Sequence, residues 1–316
     1  MKRISTTRWS CGESRTCTPA TASLAAGGGK EGNFEGKNPS HDVALYYFLR
    51  DESEEPLAIE ILDGDGRVIR RYSSEEGEHE RCRIANMDPR RPFEIKYPET
   101  KQGLNRWSWN LRSEDIRCIE DIALFAGFNG PHVMPGDYSA RLRIGVEEQT
   151  VSFSVAADPR STASRADVQN WVASLEEVGS MMNDILESLD DLRAARDQIE
   201  ALMNSYPDDA SLKATGAKAI AAIGAWEAKI TQLKHETYED EDAWETMLAG
   251  QLRYLFDVID ETGAPVTDGA MQRLSDLKAE WADRQSELRS IVESGIRPVN
   301  EWARQKGVNH VLVVGS

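Results

Sequence analysis

Carboxylates dominate the side chains of this sequence that could do acid–base chemistry. The chain has 54 Asp and Glu residues but only five histidines among its 316 residues. Hydrolysis of a glycosidic bond needs two carboxylates held roughly 5 to 9.5 Å apart, and among so many acids some pair meets that spacing by chance. The acidic clusters Glu176–Glu177, Asp190–Asp191 and Glu239–Asp242 fall on polar faces or ends of predicted helices, where charges are normally solvated. The sequence therefore assigns no catalytic carboxylate.

Nucleophile, metal and phosphate chemistry have no stronger support. The histidines lie in predicted loops and helix ends, without an i, i+4 pair or a Gly-x-Ser-x-Gly serine to activate. They are His41, His79, His132, His235 and His310. The turn Asp63-Gly64-Asp65-Gly66 is followed by Arg67, and Ser74 stands where a calcium loop needs its bidentate Glu. We predict no catalytic, cofactor-binding or metal-binding residue.

The four cysteines, Cys11, Cys17, Cys82 and Cys118, form no Cys-x-x-Cys pair and have no histidine at zinc-ligand spacing. Cys82 and Cys118 would bridge two strands if the protein is exported. We favour buried free thiols, because unpaired cysteine packs well as a small apolar side chain.

Seven arginines cluster in the first half of the chain, and we predict that they are solvated edges of a β-hairpin. They are Arg67, Arg70, Arg71, Arg81, Arg83, Arg90 and Arg91. A local binding patch is the alternative. Because the formal net charge of −17 opposes attraction to phosphate backbones, we predict no nucleic-acid partner.

The chain contains no run close to the roughly 18 apolar residues that a membrane helix needs, so we predict no membrane insertion. The first 30 residues carry basic side chains without a following apolar stretch, which is not the pattern of a secretory signal. Residues 1–35 are rich in Ser, Thr, Ala and Gly and bury too little apolar surface to offset their ordering entropy. We predict that this segment is disordered.

Period-two alternation of apolar and polar residues predicts an Ig-like antiparallel β-sandwich over residues 36–160. One strand places Asn105, Trp107 and Trp109 on a single face, which indicates core packing, with an exposed platform for sugar stacking as the alternative. The excursion at 73–100 is polar and contains prolines. The insertion at 113–133 has no readable pattern.

Helical periodicity replaces strand periodicity at about residue 160 and predicts an elongated antiparallel four-helix bundle over residues 164–307. The four helices are expected at about 165–204, 209–236, 240–261 with Trp244 buried, and 267–305 with Thr267 as N-cap and a kink at Pro298. Residues 308–316 form a short tail. Length and periodicity together favour two domains, one of strands and one of helices.

Three polar residues interrupt the apolar seam of these helices: Arg196, Lys278 and Gln285. Single polar residues at seam positions commonly set register, and we favour that role. An interior polar site is the alternative.

Several segments follow one another along the chain: Phe34–Pro39, Leu57–Asp63, Gly103–Arg112, Pro135–Tyr138, Asp158–Arg160, Asp257–Thr267 and Asn300. In this order they resemble the C-terminal part of BNR-repeat, sortilin-type glycosyl-hydrolase-like proteins. The resemblance covers about residues 34–312. In that family a large β-propeller precedes an Ig-like domain similar to that of the flagellar hook-capping protein, and a helical region follows.

The propeller with its Ser-x-Asp-x-Gly-x-Thr-Trp turns has no counterpart in these 316 residues. Hydrolytic residues of the family are expected on the propeller, so none is carried over. The resemblance implies a non-catalytic accessory module that docks or spaces a β-propeller partner, in a family that is usually exported. The alternatives are a glycan-acting hydrolase and a stalk that self-associates through its helical bundle.

Overall fold

The computed structural model describes residues 42–85, 95–122, 124, 127–234, 243–308 and 311, with the side chains of 84 and 85 left aside. The segment predicted to be disordered, the family-like Phe34–Pro39 and most of the C-terminal tail lie outside these ranges.

In the described part of the first half, six antiparallel strands form two sheets. They are β1 (Val43–Leu49), β2 (Leu57–Leu62), β3 (Val68–Ser73), β4 (Gly103–Trp109), β5 (Gly136–Ile144) and β6 (Glu147–Val155). One sheet has the order β1-β4 and the other the order β3-β2-β5-β6. The predicted turn after β2 is confirmed, because the Asp63 carboxylate accepts backbone N–H groups of Asp65 and Arg67 at 3.0 and 2.9 Å.

The two sheets share one apolar core. Trp109 at the end of β4 is 0% exposed and packs against Tyr138 and Phe153, with ring centroids 5.6 and 5.9 Å away. Its indole N–H donates to the Arg112 carbonyl at 2.8 Å. The core prediction is therefore confirmed for Trp109, while Trp107 is only partly buried.

A short helix, α1 (Glu78–Ala85), lies within the polar excursion at residues 73–100. Its residues form no continuous apolar stripe, so periodicity did not identify it. The Glu80 carboxylate accepts the Gly77 N–H at 2.9 Å at its start, and a disulfide at Cys82 fastens its other end.

The second half contains helices α2 (Arg165–Ser205), α3 (Ala210–Ile230), α4 (Leu248–Thr262), α5 (Asp268–Ile291) and α6 (Arg297–Lys306). Ser164 caps α2 in a capping box with Asp167, and Asp209 caps α3. The predicted cap at Thr267 is confirmed by its side chain, which accepts the Ala270 N–H.

The third predicted helix begins later than expected, at Leu248. Trp244, predicted to be buried, is 42% exposed, and the Lys234 ammonium lies 4.4 Å from its ring centroid. The spacing of Trp244 fits the apolar seam, but its side chain packs against a surface cation, so the prediction of burial was wrong. Residues 235–242 lie outside the described ranges.

Near Pro298, where the sequence predicts a kink, a π-helical turn (Val292–Ile296) interrupts the regular α-helix between α5 and α6. Pro298 lies in the first turn of α6. Gly295 lies beside Ala219 of α3, whose Cα would be 3.5 Å from an added Cβ, so the small residue brings the two backbones close together.

The insertion at residues 113–133, which showed no periodic pattern in the sequence, packs between the two halves. Ile116, Ile119, Ile122 and Phe128 are buried in the same apolar cluster as the helices, beside the seam of α2. The apolar core of the helical half therefore includes residues of the insertion, which precedes the strand-to-helix change at residue 160. Among the described residues, none of the helices combines the length and hydropathy of a membrane span.

Candidate functional site

A polar cleft of about 620 Å³ lies between β3, the start of α1 and the beginning of the insertion. Fifteen residues line it, and most are charged or aromatic. They are Arg70, Arg71, Tyr72, Ser73, Glu75, Glu76, Gly77, His79, Glu80, Arg83, Ile95, Lys96, Trp107, Glu114 and Asp115. The volume is in the range of ligand sites in proteins.

Asp115 is the buried anion of this cleft, with 6% of its side chain exposed. Its two oxygens accept Arg70 Nη1 and Nη2 at 2.5 and 2.7 Å, and the Gly130 N–H donates to the same carboxylate at 3.2 Å. His79 Nε2 and Arg83 Nη1 lie 3.4 and 3.7 Å away. Burial alone would raise the pKa of Asp115, but the nearby His79 ring, the hydrogen bonds from Arg70 and the arginine charges outweigh it and hold the pKa far below its usual range.

The pKa of Glu114, the residue before Asp115, is shifted in the opposite direction. Desolvation at the cleft raises the pKa of the Glu114 carboxyl, and the charge of Asp115 adds to the rise, although Arg70 and Arg71 oppose it. Glu114 is also exposed as a whole residue. It is therefore a carboxylate at the rim of the cleft for which an added cation would be favourable.

Tyr72 and Trp107 form the aromatic wall of the cleft. Their rings meet edge to face with centroids 4.9 Å apart, and the Arg70 guanidinium lies 5.0 Å from the Tyr72 centroid. Burial raises the pKa of Tyr72 to about 12, so its hydroxyl stays protonated near neutral pH. The indole N–H of Trp107 is buried and finds no acceptor among the described residues.

Cys82 and Cys118 form a disulfide with their Cα atoms 5.9 Å apart, which corrects the prediction of free thiols. The bond joins α1, which supplies one wall of the cleft, to the insertion that packs on the helices. The alternative of a Cys82–Cys118 bridge is therefore correct in its pairing, although the bond joins a helix to the insertion and not two strands.

The arginine cluster is not uniformly a solvated edge. Arg70 is buried on Asp115, and Arg71 binds the buried Glu60 through Nη2 at 2.8 Å. Arg67 fits the prediction, with an exposed side chain paired to Asp63 in the turn. The difference arises because Arg67 lies in the turn before β3, whereas Arg70 and Arg71 lie within the strand and face the buried carboxylates of Asp115 and Glu60. Arg90 and Arg91 lie outside the described residues.

A second polar cluster lies where the two halves meet. Arg112 binds Asp260 of α4 through Nη2 and donates from Nη1 to the Gly130 carbonyl at 2.8 Å. The Trp171 indole donates to the Ile259 carbonyl at 2.8 Å, and the His132 ring stacks on Trp171 with centroids 5.6 Å apart.

Burial shifts two pKa values in this junction. Desolvation, aided by the charge of Arg112, lowers the pKa of His132 even though Asp260 opposes the shift. Burial also raises the pKa of Asp257 to about 6, although Arg253 Nη2 lies 2.8 Å from its carboxylate. The junction therefore holds a histidine that favours its neutral form and a carboxyl that is costly to ionise.

The polar seam residues differ in environment. Arg196 is half-buried and, together with Arg193, binds the buried Glu227 of α3 at 3.1 and 2.7 Å, which links two helices. Lys278 is exposed and pairs with Glu177, so it does not face the seam. Gln285 is half-buried. The register role fits Arg196, and neither of the other two marks an interior site.

The two acidic pairs on α2 that the sequence analysis names lie on the outer surface of that helix. Glu176 and Glu177 are exposed, and Asp190 pairs with Arg117 at 2.8 Å. Asp191, on the same stretch of α2, has its pKa raised by partial desolvation and by neighbouring acids. Glu239–Asp242 lie outside the described residues. These pairs do not converge on either polar cluster.

Of the histidines, the described ranges contain only His79, in the cleft, and His132, in the junction. His41, His235 and His310 lie outside them. Within the described part of the chain, groups of three or more His, Cys, Asp or Glu side chains arranged to hold a metal ion are absent. Sequence reasoning missed His79 as a neighbour of Glu114 and Asp115 because it lies 35 and 36 positions before them, and contacts at such separations leave no local pattern.

Comparison with known proteins found no matching family model, no similar curated protein and no similar solved structure.

Proposed function

We propose that this chain is a non-catalytic interaction module, an Ig-like β-sandwich joined to a four-helix bundle, that docks or spaces a β-propeller partner. The buried connection between its two halves is the observation that carries the proposal. Ile116, Ile119 and Phe128 enter the helical core, and Arg112 is tied to Asp260 of α4. A connection packed in this way keeps two surfaces at a constant separation, which is what a spacer requires.

The buried ion-pair clusters support the view that their carboxylates stabilise the fold. Asp115 is surrounded by three basic side chains, Glu60 by Arg71 and Arg141, and Glu227 by Arg193 and Arg196. Removing one partner from such a buried arrangement is strongly destabilising. Each of these three carboxylates therefore serves the fold.

Binding to a purified β-propeller domain carrying BNR repeats tests the docking function. The full chain, immobilised for biolayer interferometry, should bind that domain in a saturable way and should not bind a WD40-type propeller, which serves as the matched control. Absence of binding to the BNR propeller at about 100 µM, a level that captures weak transient pairs, would refute the docking function.

A hydrolase is the competing function, and one observation favours it: the pKa of Glu114 is raised while that of Asp115 is lowered, the opposite shifts that acid–base pairs use. The argument against it is that hydrogen-bond donors already occupy both oxygens of Asp115. A hydrolysis screen with diverse glycosides decides between the hydrolase and the non-catalytic module. Turnover that disappears in Glu114→Gln would establish the hydrolase and end the non-catalytic proposal.

Self-association is the remaining alternative. The seam of α2, including Leu175, Ile185 and Leu189, is buried inside the chain's own helical core. A second copy would have to use exposed apolar side chains such as Tyr254, which is 68% exposed. Sedimentation velocity over a range of concentrations tests this, and a single monomeric species throughout would exclude it.

A further inference from the structure

We propose that the polar cleft is the docking pocket for a basic side chain of a protein partner, an arginine or a lysine carried on an exposed loop. This inference rests on the proposed interaction function and deepens it by naming the chemistry of the partner. Three features of the cleft carry it: the state of its cations, the rim carboxylates that form no ion pair with a described Lys or Arg, and the aromatic wall.

The cations of the cleft are largely neutralised by the protein itself. Arg70 and Arg83 face Asp115, and Arg71 is held by Glu60, which lies behind it. Lys96 is the one remaining basic residue among those that line the cleft. An anionic ligand would therefore have to compete with buried carboxylates for its partners.

The carboxylates at the rim are not neutralised in the same way. Glu75, Glu76, Glu80 and Glu114 line the cleft, and within the described residues none of the four forms an ion pair with a Lys or Arg. Four Lys or Arg residues and five Asp or Glu residues line the cleft together with His79, while Glu60 behind it is paired with both Arg71 and Arg141. The local balance is thus negative, in the same direction as the net charge of −17 that would steer a basic segment toward the protein.

The aromatic wall suits the same ligand. Arg70 already places its guanidinium 5.0 Å from the Tyr72 ring centroid, so a guanidinium fits against this wall. Trp107 stands beside Tyr72, and tryptophan is the aromatic residue that attracts cations most strongly. Arginine and aromatic residues are also the side chains that dominate binding energy at protein interfaces.

The walls of the cleft are held in place before any ligand arrives. The Cys82–Cys118 disulfide fastens α1 to the insertion, and the bidentate Arg70–Asp115 pair fastens the insertion to β3. A preformed site loses less conformational entropy on binding than one that must be ordered. The acceptors at the rim are therefore displayed from a rigid frame.

Short peptides of known sequence test the proposal. The probe is acetyl-Gly-Gly-Arg-Gly-Gly-amide, and its counterparts carry lysine, uncharged citrulline or glutamate at the centre. Binding to the full chain labelled with ¹⁵N is followed through the indole N–H signal of Trp107, which Trp107→Phe identifies. We expect saturable shifts with the arginine and lysine peptides, at least about five-fold weaker binding of the citrulline peptide, and weaker binding at higher salt.

The matched pair of variants is Glu114→Gln in the cleft and Glu301→Gln on the exposed surface of α6, which remove the same charge at different places. Glu114→Gln should weaken arginine-peptide binding about five-fold, while Glu301→Gln leaves it unchanged. Glu76→Gln provides a second rim variant if Glu114→Gln alters the circular dichroism spectrum.

Equal binding of the arginine and citrulline peptides, equal effects of the two Gln variants, or preference for the glutamate peptide would overturn this inference. The propeller assay separates its failure from that of the proposed function. Propeller binding without arginine-peptide binding would refute the pocket alone, whereas arginine-peptide binding without propeller binding would refute the propeller as the partner and retain the pocket.

Discussion

Breaking the Cys82–Cys118 disulfide should lower the stability of this protein substantially. The bond spans 36 positions of sequence. In the chain-entropy model, closing a loop of that length removes about 13 cal/mol/K from the unfolded state, or about 4 kcal/mol at 25 °C. Domains are typically stable by only about 5–15 kcal/mol, so the expected loss is a large fraction of the total.

The perturbation is Cys118→Ser, compared with wild-type protein in the presence and absence of a reductant. Urea unfolding followed by circular dichroism should place reduced wild type and Cys118→Ser at similar, lowered midpoints, with oxidised wild type well above both. Cys118→Ser itself should not respond to the reductant, which serves as the control. Because Ile116 and Ile119 flank Cys118 and lie in the helical core, the helical signal should be lost at the lower midpoint as well.

Peptide mapping gives an independent check. Without reduction, mass spectrometry should recover Cys82 and Cys118 in one cross-linked peptide. Alkylation of both thiols in native, unreduced protein, together with urea midpoints that do not depend on reductant, would refute the reasoning.

Three further predictions use unfolding measurements. Gly130→Ala should destabilise by about 3 kcal/mol, because its Cβ would lie 1.9 Å from the Glu114 carbonyl oxygen and displace a backbone that makes two charge-assisted hydrogen bonds. The control Gly224→Ala, with open space around its Cβ, should stabilise helix α3 by about 0.5–1 kcal/mol, and equal effects of the two would contradict the packing. Glu227→Gln should cost about 3–5 kcal/mol, since it leaves two arginines facing an uncharged amide, and a loss under 1 kcal/mol would disprove the buried ion pairs. Burial raises the pKa of Asp257 from 3.8 to about 6, so the folded state favours the protonated form, and stability relative to Asp257→Asn should fall by on the order of 2 kcal/mol from pH 4 to pH 7. A pH-independent difference would show that the site is not desolvated.

Local periodicity was sufficient to place most strands and helices of this protein. Alternation predicted strands within residues 36–160, where β1 to β6 lie, and the 3-4 spacing predicted α2 to within a residue. The sequence predicts these strands and helices because burial of one face of an element imposes a periodic pattern of apolar residues. The prediction that Trp244 is buried was wrong, although its spacing matches the apolar seam. Trp244 precedes the first residue of α4, and periodicity does not indicate where a helix begins.

The chemistry of the cleft, by contrast, depends on contacts between distant parts of the chain. The Asp115 carboxylate has an unusually low pKa only because Arg70, 45 positions away, and His79, 36 positions away, are folded against it. The disulfide and the entry of the insertion into the helical core have the same origin. Amino-acid types and their spacing establish the secondary structure and the net charge of this protein, whereas the fold selects which charges are neutralised and which remain available to a partner, because Coulomb energy and desolvation depend on distance and burial in three dimensions.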